Sequence, residues 1–327
     1  MKRRKFIGGL LLSATMGQAR AEATKTYRIV ILDPITPVDV MNESSGPYYP
    51  LWRPLFQELR RSGYVERQNL TVERYGIKEY SADLAQKVVA DHPDVIFAEG
   101  NAVVHDLMSA ASTIPIVALM FPVLPSLIIN LAHPGGNLTG INTNPGDFVG
   151  KRLELLRELV PNVSKVGVLT TRGDWTHGLN KAVEQATQKV GVSVGDLFLE
   201  TPVSEAVIRR FFAESAKERV DALFVNASVW AFMPLVIQLA REYRLPAVYP
   251  YVYFAQVGGL IAYDYGLSDF GHIVADQIDQ ILKGTKPGDI PIYQAEKYTL
   301  TINLKTAKTL GLTVPPSLLA RADEVIE

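Results

Sequence analysis

The sequence has 327 residues, of which 47% are hydrophobic and 20% are charged, and it contains no cysteine. This composition is typical of a globular protein, and it excludes a largely disordered chain, a disulfide-stabilised scaffold and a lipid anchor on cysteine. The formal net charge of −1 argues against nucleic acid as a partner, because surfaces that bind nucleic acid are strongly basic.

Residues 1–21 have the pattern of a secretory signal peptide. The basic start MKRRKF is followed by the apolar run IGGLLLSATMG, and small residues precede a cleavage position after Ala21. The apolar run is too short to span a bilayer. The paired arginines also fit a twin-arginine signal, so both Sec and Tat export stay open. We expect a mature chain that begins at Glu22 and diffuses in the periplasm without a lipid anchor; the alternative is an amphipathic helix of a cytosolic protein.

After this segment, short β-rich runs alternate with helical patterns. Such alternation predicts βαβ units and a parallel sheet. The predicted strands of the first half are 27–32, 70–75, 94–98, 115–119 and 137–141, and the predicted helices are 48–62, 81–91, 101–111 and 124–132.

The same alternation recurs after the turn residues Asn144-Pro145-Gly146. The predicted strands are 165–170, 192–198, 221–226, 246–250 and 259–263, with helices at 175–190, 203–218 and 230–243. The tail adds a helix at 267–283, a β-like run at 298–303 and a last helix after Pro315-Pro316. We therefore predict two similar α/β lobes: 22–143 with about 264–290, and 144–263 with about 291–327.

The segment HPGGN, residues 133–137, separates a predicted helix from a predicted strand. Pro134 cannot continue a helix, and Gly135 and Gly136 allow backbone angles that are closed to other residues. A metal-binding role for His133 would need partners, and none is spaced nearby. We therefore interpret HPGGN as a structural corner that leads into the strand at 137–141.

Several segments together resemble a known family. They are HPGGNLTGI (133–141), GYVERQN (63–69), STIPIV (112–117), GKRLELLRELVPNVSKVGVL (150–169), VGGLIAY (257–263) and the C-terminal block 302–327. On these segments the chain resembles the ABC-transporter substrate-binding protein family that includes tryptophan and tyrosine binders. The resemblance implies a type I periplasmic-binding-protein fold, in which two Rossmann-like lobes are joined by a three-stranded hinge and hold a ligand between them. It also implies a membrane permease with its ATPase as partners.

Three loops depart from the usual pattern of that family. The loop after the first strand is long, EGNAVV follows the third strand where a small Ser/Thr-Pro segment is common, and FPVLP replaces a Gly-Asp-Pro-type segment. These loops lie where a ligand is expected, so the ligand is less determined by the resemblance than the fold is.

Motifs for catalysis and cofactors are absent from the sequence. GDFVGKR (146–152) is one residue short of a phosphate-binding loop, and no G-x-G-x-x-G follows a strand. The five histidines form neither H-x-H nor H-E-x-x-H, and no nucleophile elbow occurs. We therefore expect no catalytic residues, no metal and no cofactor.

Ligands of open parallel sheets bind at the carboxyl ends of the strands. The loops predicted there carry polar and aromatic side chains that suit a small molecule. The candidate ligand-binding residues are Ser44, Ser45, Glu99, Asn101, Phe121, Asp174, Trp175, Asn226, Ser228, Trp230 and Tyr251.

Roles can be suggested for some of these candidates. Ser44 and Ser45 precede a predicted helix, whose N-terminus favours an anion such as a carboxylate, although they could equally be a plain helix cap. Glu99 and Asp174 could each pair with an ammonium group, or could be solvated loop acids. Trp175 and Trp230 could stack on a flat ligand or pack within their own lobe.

These observations predict an exported, monomeric solute-binding protein of an ABC importer that is not an enzyme. It captures a small molecule with an amino-acid-like character and closes by hinge bending. A periplasmic sensor module for a membrane receptor stays open as the alternative, and a secreted enzyme on the same frame is the third class.

Overall fold

The computed structural model describes residues 25–46, 49–76, 78–79, 81, 83–111, 113–120, 128, 130–143, 145–296 and 298–327. The predicted signal peptide and Phe121 lie outside this part of the chain, as does most of the helix predicted at 124–132. Within it, every helix is too short or too polar to cross a membrane.

The first half of the chain forms an open β-sheet whose strands alternate with helices. Its strands carry continuous apolar runs, which is typical of parallel strands that are covered on both faces. The elements are β1 (Tyr27–Leu32), α1 (Trp52–Arg61), β2 (Leu70–Tyr75), α2 (Leu84–Ala90), β3 (Val95–Glu99), α3 (Asn101–Ala110), β4 (Ile116–Met120) and β5 (Leu138–Asn142).

The second half repeats this architecture. A π-helical turn, Trp175–Leu179, joins two of its helices. The elements are α4 (Pro145–Leu159), β6 (Lys165–Leu169), α5 (Arg172–Asp174), α6 (Asn180–Val190), β7 (Ser193–Val194), α7 (Glu205–Lys217), β8 (Ala222–Val225), α8 (Met233–Glu242), β9 (Ala247–Tyr249), α9 (Val252–Gln256) and β10 (Ile261–Tyr265).

The remaining chain contributes elements to both halves. These are α10 (Leu267–Leu282), β11 (Tyr293–Gln294), β12 (Tyr298–Asn303), α11 (Leu304–Thr309), α12 (Pro316–Leu319) and β13 (Glu324–Ile326). The first sheet has the strand order β11-β5-β4-β3-β1-β2, and the second has the order β13-β12-β10-β9-β8-β6-β7. All described pairs are parallel except β10 with β12. This arrangement confirms the predicted α/β fold class.

Three chain crossings join the two sheets. The chain leaves the first sheet after β5, returns after β10 and leaves again after β11. The last crossing follows β11, whose Tyr293 pairs with Ile141 in the first sheet, and it lies close to the lobe boundary that was predicted at about 291. A two-residue strand that forms only by long-range pairing leaves no periodic signal in the sequence.

The core of the first lobe shows how the amphipathic pattern positions the helices. Trp52, Leu55 and Leu59 of α1 are at most 2% exposed and pack with α10 over the first sheet. Full burial of each such side chain stabilises the fold by about 1.5–3 kcal/mol. The helices approach closely, because a Cβ at Gly271 would lie 2.3 Å from the Leu51 carbonyl oxygen. Alanine at this position would force α1 and α10 apart.

The HPGGN segment is a corner, as predicted. Gly135 and Gly136 have φ angles of +72° and +64°, which other residues adopt only with strain. The amide of Gly135 donates to the carbonyl of Gly288 at 3.1 Å, so the corner docks against the turn that precedes β11. His133 is exposed beside it.

Two predicted elements differ from the observed ones by more than a shift of a few residues at their ends. The first helix begins at Trp52 instead of residue 48, because Pro50 disfavours helical geometry at the preceding residue. The strand predicted at 192–198 is reduced to Ser193–Val194.

Candidate ligand-binding site

Each sheet has a switch point where successive strands are added on opposite sides. In the first sheet it lies between β1 and β3, and in the second between β6 and β8. The carboxyl ends of such strands leave a crevice that typically holds a ligand. The residues at these strand ends are therefore the first candidates for a binding site.

Two acids occupy the switch point of the first sheet. Asp33 directly follows β1 and Glu99 ends β3, and these strands pair in parallel, with Leu32 opposite Ala98. The two carboxyl groups lie within hydrogen-bonding reach of each other. Both residues line the same cavity.

Asp33 is fully buried. Its Oδ1 accepts hydrogen bonds from the amides of Ile35 at 2.9 Å and Thr36 at 3.1 Å, a local turn that Asp favours. Its Oδ2 is also buried and has no hydrogen-bond donor among the described residues. Burial raises the pKa of Asp33, and the bonds from Thr36 and Ile35 oppose this effect.

Glu99 keeps part of its surface open to the cleft. Loss of hydration and, second, the charge of Asp33 raise its pKa well above the ordinary value. Two neighbouring carboxyl groups in a poorly solvated site cannot both ionise readily.

The cavity above these acids has walls from both lobes and an empty volume of about 470 Å³, including its open mouth. Tyr49 of the first lobe faces Trp230 of the second, with ring centroids 5.6 Å apart. Trp230 also packs edge-on against Tyr251 at 4.5 Å. Trp52 and Leu119 complete an apolar wall. The cavity thus combines an acidic floor with flat aromatic sides.

A second compartment adjoins the first and shares Ile35, Glu99 and Tyr251 with it. Its empty volume is about 940 Å³, including its open mouth. Arg152 of α4 lines it; its Nε donates to the carbonyl of Tyr263 at 2.8 Å, and a terminal nitrogen donates to that of Pro250 at 2.6 Å. Burial lowers the pKa of Arg152, yet an arginine stays charged. The compartment therefore favours a negative group.

The switch point of the second sheet is neutral. Asn226 follows β8 and lines the second compartment. Its Nδ2 donates to the Thr170 hydroxyl at 3.0 Å and to the Ser228 hydroxyl at 3.3 Å. The side-chain amide of Asn226 can form a hydrogen bond with a ligand and carries no charge.

The structure brings together part of the predicted site. Glu99, Asn226, Trp230 and Tyr251 line the two compartments. Asn101 begins α3 and Ser228 is exposed, and neither lines these compartments in the described part of the chain.

The remaining predicted residues have other contacts. Ser44 and Ser45 lie in a turn several residues before α1, so they do not form the helix start that was expected to favour an anion. Ser45 is buried and its hydroxyl donates to the carbonyl of Tyr49 at 3.2 Å. Asp174 is exposed and accepts from the Thr171 hydroxyl at 2.7 Å. Trp175 packs against Phe198 of its own lobe, with centroids 4.9 Å apart.

Sequence reasoning missed several lining residues. Asp33 could have been found, because it follows a strand just as Glu99 ends one. Tyr49 and Arg152 gave no such signal: Tyr49 precedes a helix, and Arg152 lies inside one.

Comparisons with known proteins agree with this architecture. A model of the family described as "ABC transporter substrate binding protein" matches residues 55–326. A protein named "Tyrosine-binding protein" from Clostridioides difficile is 24% identical over 269 residues, which cover 78% of this chain and 74% of that protein.

Solved structures are similar over nearly the whole chain. A conserved domain protein of Vibrio cholerae has a TM-score of 0.75 at 24% identity, and the match covers 92% of this chain and all of that one. An ABC domain from Streptococcus pneumonia in complex with L-Trp has a TM-score of 0.73 at 23% identity, with the same coverage. At these identities the similarity establishes the fold.

Proposed function

The chain belongs to the family of ABC transporter substrate-binding proteins, and from this premise we propose that it is the exported binding subunit of an ABC importer. It captures a small amino-acid-like molecule in the cleft between its lobes and delivers it to a membrane permease that is driven by an ATPase. Residues 1–21 are its removable export signal.

One observation carries the proposal: both lobes supply walls of the same cavity. Tyr49 and Trp230 belong to different lobes and lie 5.6 Å apart. A ligand against these rings contacts both lobes only when they are close together. Because it binds this arrangement better than a separated one, it shifts the population toward closure.

The lining indicates the ligand class. The carboxyl groups of Asp33 and Glu99 suit an ammonium group, and the rings of Tyr49, Trp230 and Tyr251 suit a flat or apolar body. Arg152 in the adjoining compartment suits a carboxylate. An aromatic amino acid has all three features. The names of the relatives, one tyrosine-binding and one solved with L-Trp, support the same class.

Isothermal titration calorimetry with L-tryptophan and L-tyrosine tests the ligand class, with D-glucose as a neutral control. We expect at least one amino acid to bind and glucose to give no heat. Binding of glucose alone would contradict the proposal. Bound ligand also raises the melting temperature, since a hundredfold excess over Kd stabilises the fold by about 2.7 kcal/mol.

Small-angle scattering tests closure independently. The radius of gyration should fall when the ligand is added at saturation. Identical scattering curves with and without ligand would contradict hinge closure, although the ligand could still bind. Uptake of the labelled ligand by cells with and without the gene tests the importer role. Loss of the gene should reduce uptake if the protein is an importer subunit and leave uptake unchanged if it is a sensor.

A further inference from the structure

The unpartnered oxygen of Asp33 raises a specific question about the acid pair. Oδ2 of Asp33 is buried and has no donor among the described residues, yet the carboxyl groups of Asp33 and Glu99 lie within hydrogen-bonding reach of each other at the ends of paired strands. If both groups were ionised, this oxygen would lack a hydrogen bond and would face a like charge, two arrangements that are costly in a buried site. A proton on Glu99 removes both problems, since Glu99 then donates to Asp33.

We propose that Asp33 and Glu99 hold a single proton between them in the ligand-free protein and exchange it for the cationic nitrogen of the ligand. On binding, the ammonium group donates N–H bonds to Asp33 Oδ2 and to Glu99, and the displaced proton passes to bulk solvent. This inference rests on the proposed function and adds to it a specificity rule: the ligand must carry a protonated nitrogen.

The two acids have different roles in this exchange. The amides of Ile35 and Thr36 donate to Oδ1 of Asp33 and favour its ionised form. No described residue donates a comparable backbone hydrogen bond to Glu99, and burial together with the Asp33 charge raises its pKa well above the usual range. Glu99 is therefore the proton carrier and Asp33 the fixed acceptor.

The groups around the pair do not replace it as the proton source near neutral pH. Tyr49, Tyr251 and Tyr265 face the acids, and burial raises the pKa of each above its ordinary value of 10, so all three stay protonated. Arg152 faces Tyr251 and Tyr265 and stays charged. Asp264 lies near the same tyrosines, and burial raises its pKa to about 7. Asp264 is therefore the other group that could release a proton near neutral pH, and the experiment needs a control for it.

Calorimetry in two buffers of different ionisation enthalpy counts the released protons. With L-tryptophan at pH 6 we expect close to one proton released per ligand bound, and a Kd that falls about tenfold for each pH unit up to the pKa of the pair. Glu99→Gln should bind more weakly and release no proton. Asp264→Asn should release as many protons as the wild type.

Two analogues of tryptophan test whether the ligand must carry a protonated nitrogen. Tryptamine keeps the amine of tryptophan without its carboxylate, and indole-3-propionate keeps the carboxylate without the amine. We expect tryptamine to bind at least tenfold more tightly than indole-3-propionate. Equal affinities, or no proton released with the wild-type protein, would overturn the inference while leaving a ligand-binding role intact.

A ligand-free measurement separates this inference from the proposed function. Carbon-13 NMR of labelled glutamate and aspartate side chains reports protonation directly. We expect the Glu99 carboxyl to be protonated at pH 6 and its pKa to fall in Asp33→Asn. If both groups are ionised at pH 6, the inference is wrong. If Glu99 is protonated but no amine-bearing probe binds, the proton-sharing pair stands and the proposed ligand class fails.

Discussion

The two lobes share one architecture but present different chemistry at corresponding places. At the switch point of the first sheet, the buried Asp33 and the partly exposed Glu99 form an acid pair. At that of the second sheet, Asn226 and Thr170 form a neutral hydrogen-bonded pair. The difference assigns the recognition of the ammonium group to the first lobe, whereas the second contributes Trp230, neutral polar groups and, for the carboxylate, Arg152. Neither lobe holds all the chemistry that the proposed amino-acid ligand needs, so we expect binding to require both.

The largest expected effect comes from removing Glu99, since only the first lobe has acids at its switch point. Glu99→Gln should weaken binding of the amine-bearing ligand about a hundredfold, because a charged hydrogen bond in a poorly solvated site is lost. Calorimetry measures this change. Asp174→Asn, an exposed acid of the second lobe, is the matched control and should leave Kd unchanged. If the two variants bind alike, the division of charge between the lobes is wrong.

The stability of the folded protein should depend on pH through Asp264, a buried acid of the second sheet. Burial raises the folded-state pKa of Asp264 to about 7, far above its unfolded value. The folded protein then binds more protons, so stability is highest below about pH 4 with respect to this group and falls as pH rises toward 7 and above.

Asp264→Asn removes that dependence. Relative to the wild type, the free energy of unfolding of the variant should rise by on the order of 4 kcal/mol between pH 4 and pH 8, measured by urea denaturation without ligand. The side-chain oxygen of Asn can still accept a hydrogen bond from the amide of Val252, which donates to Asp264 Oδ2 at 2.6 Å in the wild type. A constant difference in stability across this pH range would contradict a raised pKa of Asp264.

The two tryptophans that sequence reasoning could not separate should give opposite results. Trp230 lines the cavity, so Trp230→Ala should weaken ligand binding by about 1–2 kcal/mol, roughly tenfold. Trp175 packs on Phe198, so Trp175→Ala should lower the melting temperature and leave Kd unchanged. Loss of affinity in the Trp175 variant alone would place the ligand elsewhere in the second lobe.

The smallest effect is expected at the neutral switch point. Asn226→Ala removes one amide from the second compartment and should cost about 1 kcal/mol of binding, or a few-fold in Kd. Thermal-shift titration measures this. A loss as large as that of Glu99→Gln would show that the second lobe recognises the ligand as strongly as the first.

Sequence patterns predicted the fold better than the site, and the reason is physical. β1, β2 and β12 have the bounds that were predicted, because apolar runs between turns mark buried strands. β11 could not be predicted, since its two residues form a strand only by pairing with β5.

The site depends on contacts that no local pattern encodes. Glu99 could be predicted from its position at a strand end, and Asp33 follows the same rule. In contrast, Tyr49 and Trp230 meet only because the lobes approach each other, and they are far apart in the sequence. Trp175 and Trp230 look alike in sequence, and only packing separates the one on Phe198 from the one in the cleft.

A crystal structure of the complex with L-tryptophan would show directly which groups hold the ligand. We expect the ammonium nitrogen within hydrogen-bonding distance of Asp33 Oδ2 and Glu99, and the indole against Tyr49 and Trp230 with both lobes in contact. A ligand held by one lobe alone, or one whose amine faces away from the acid pair, would contradict it.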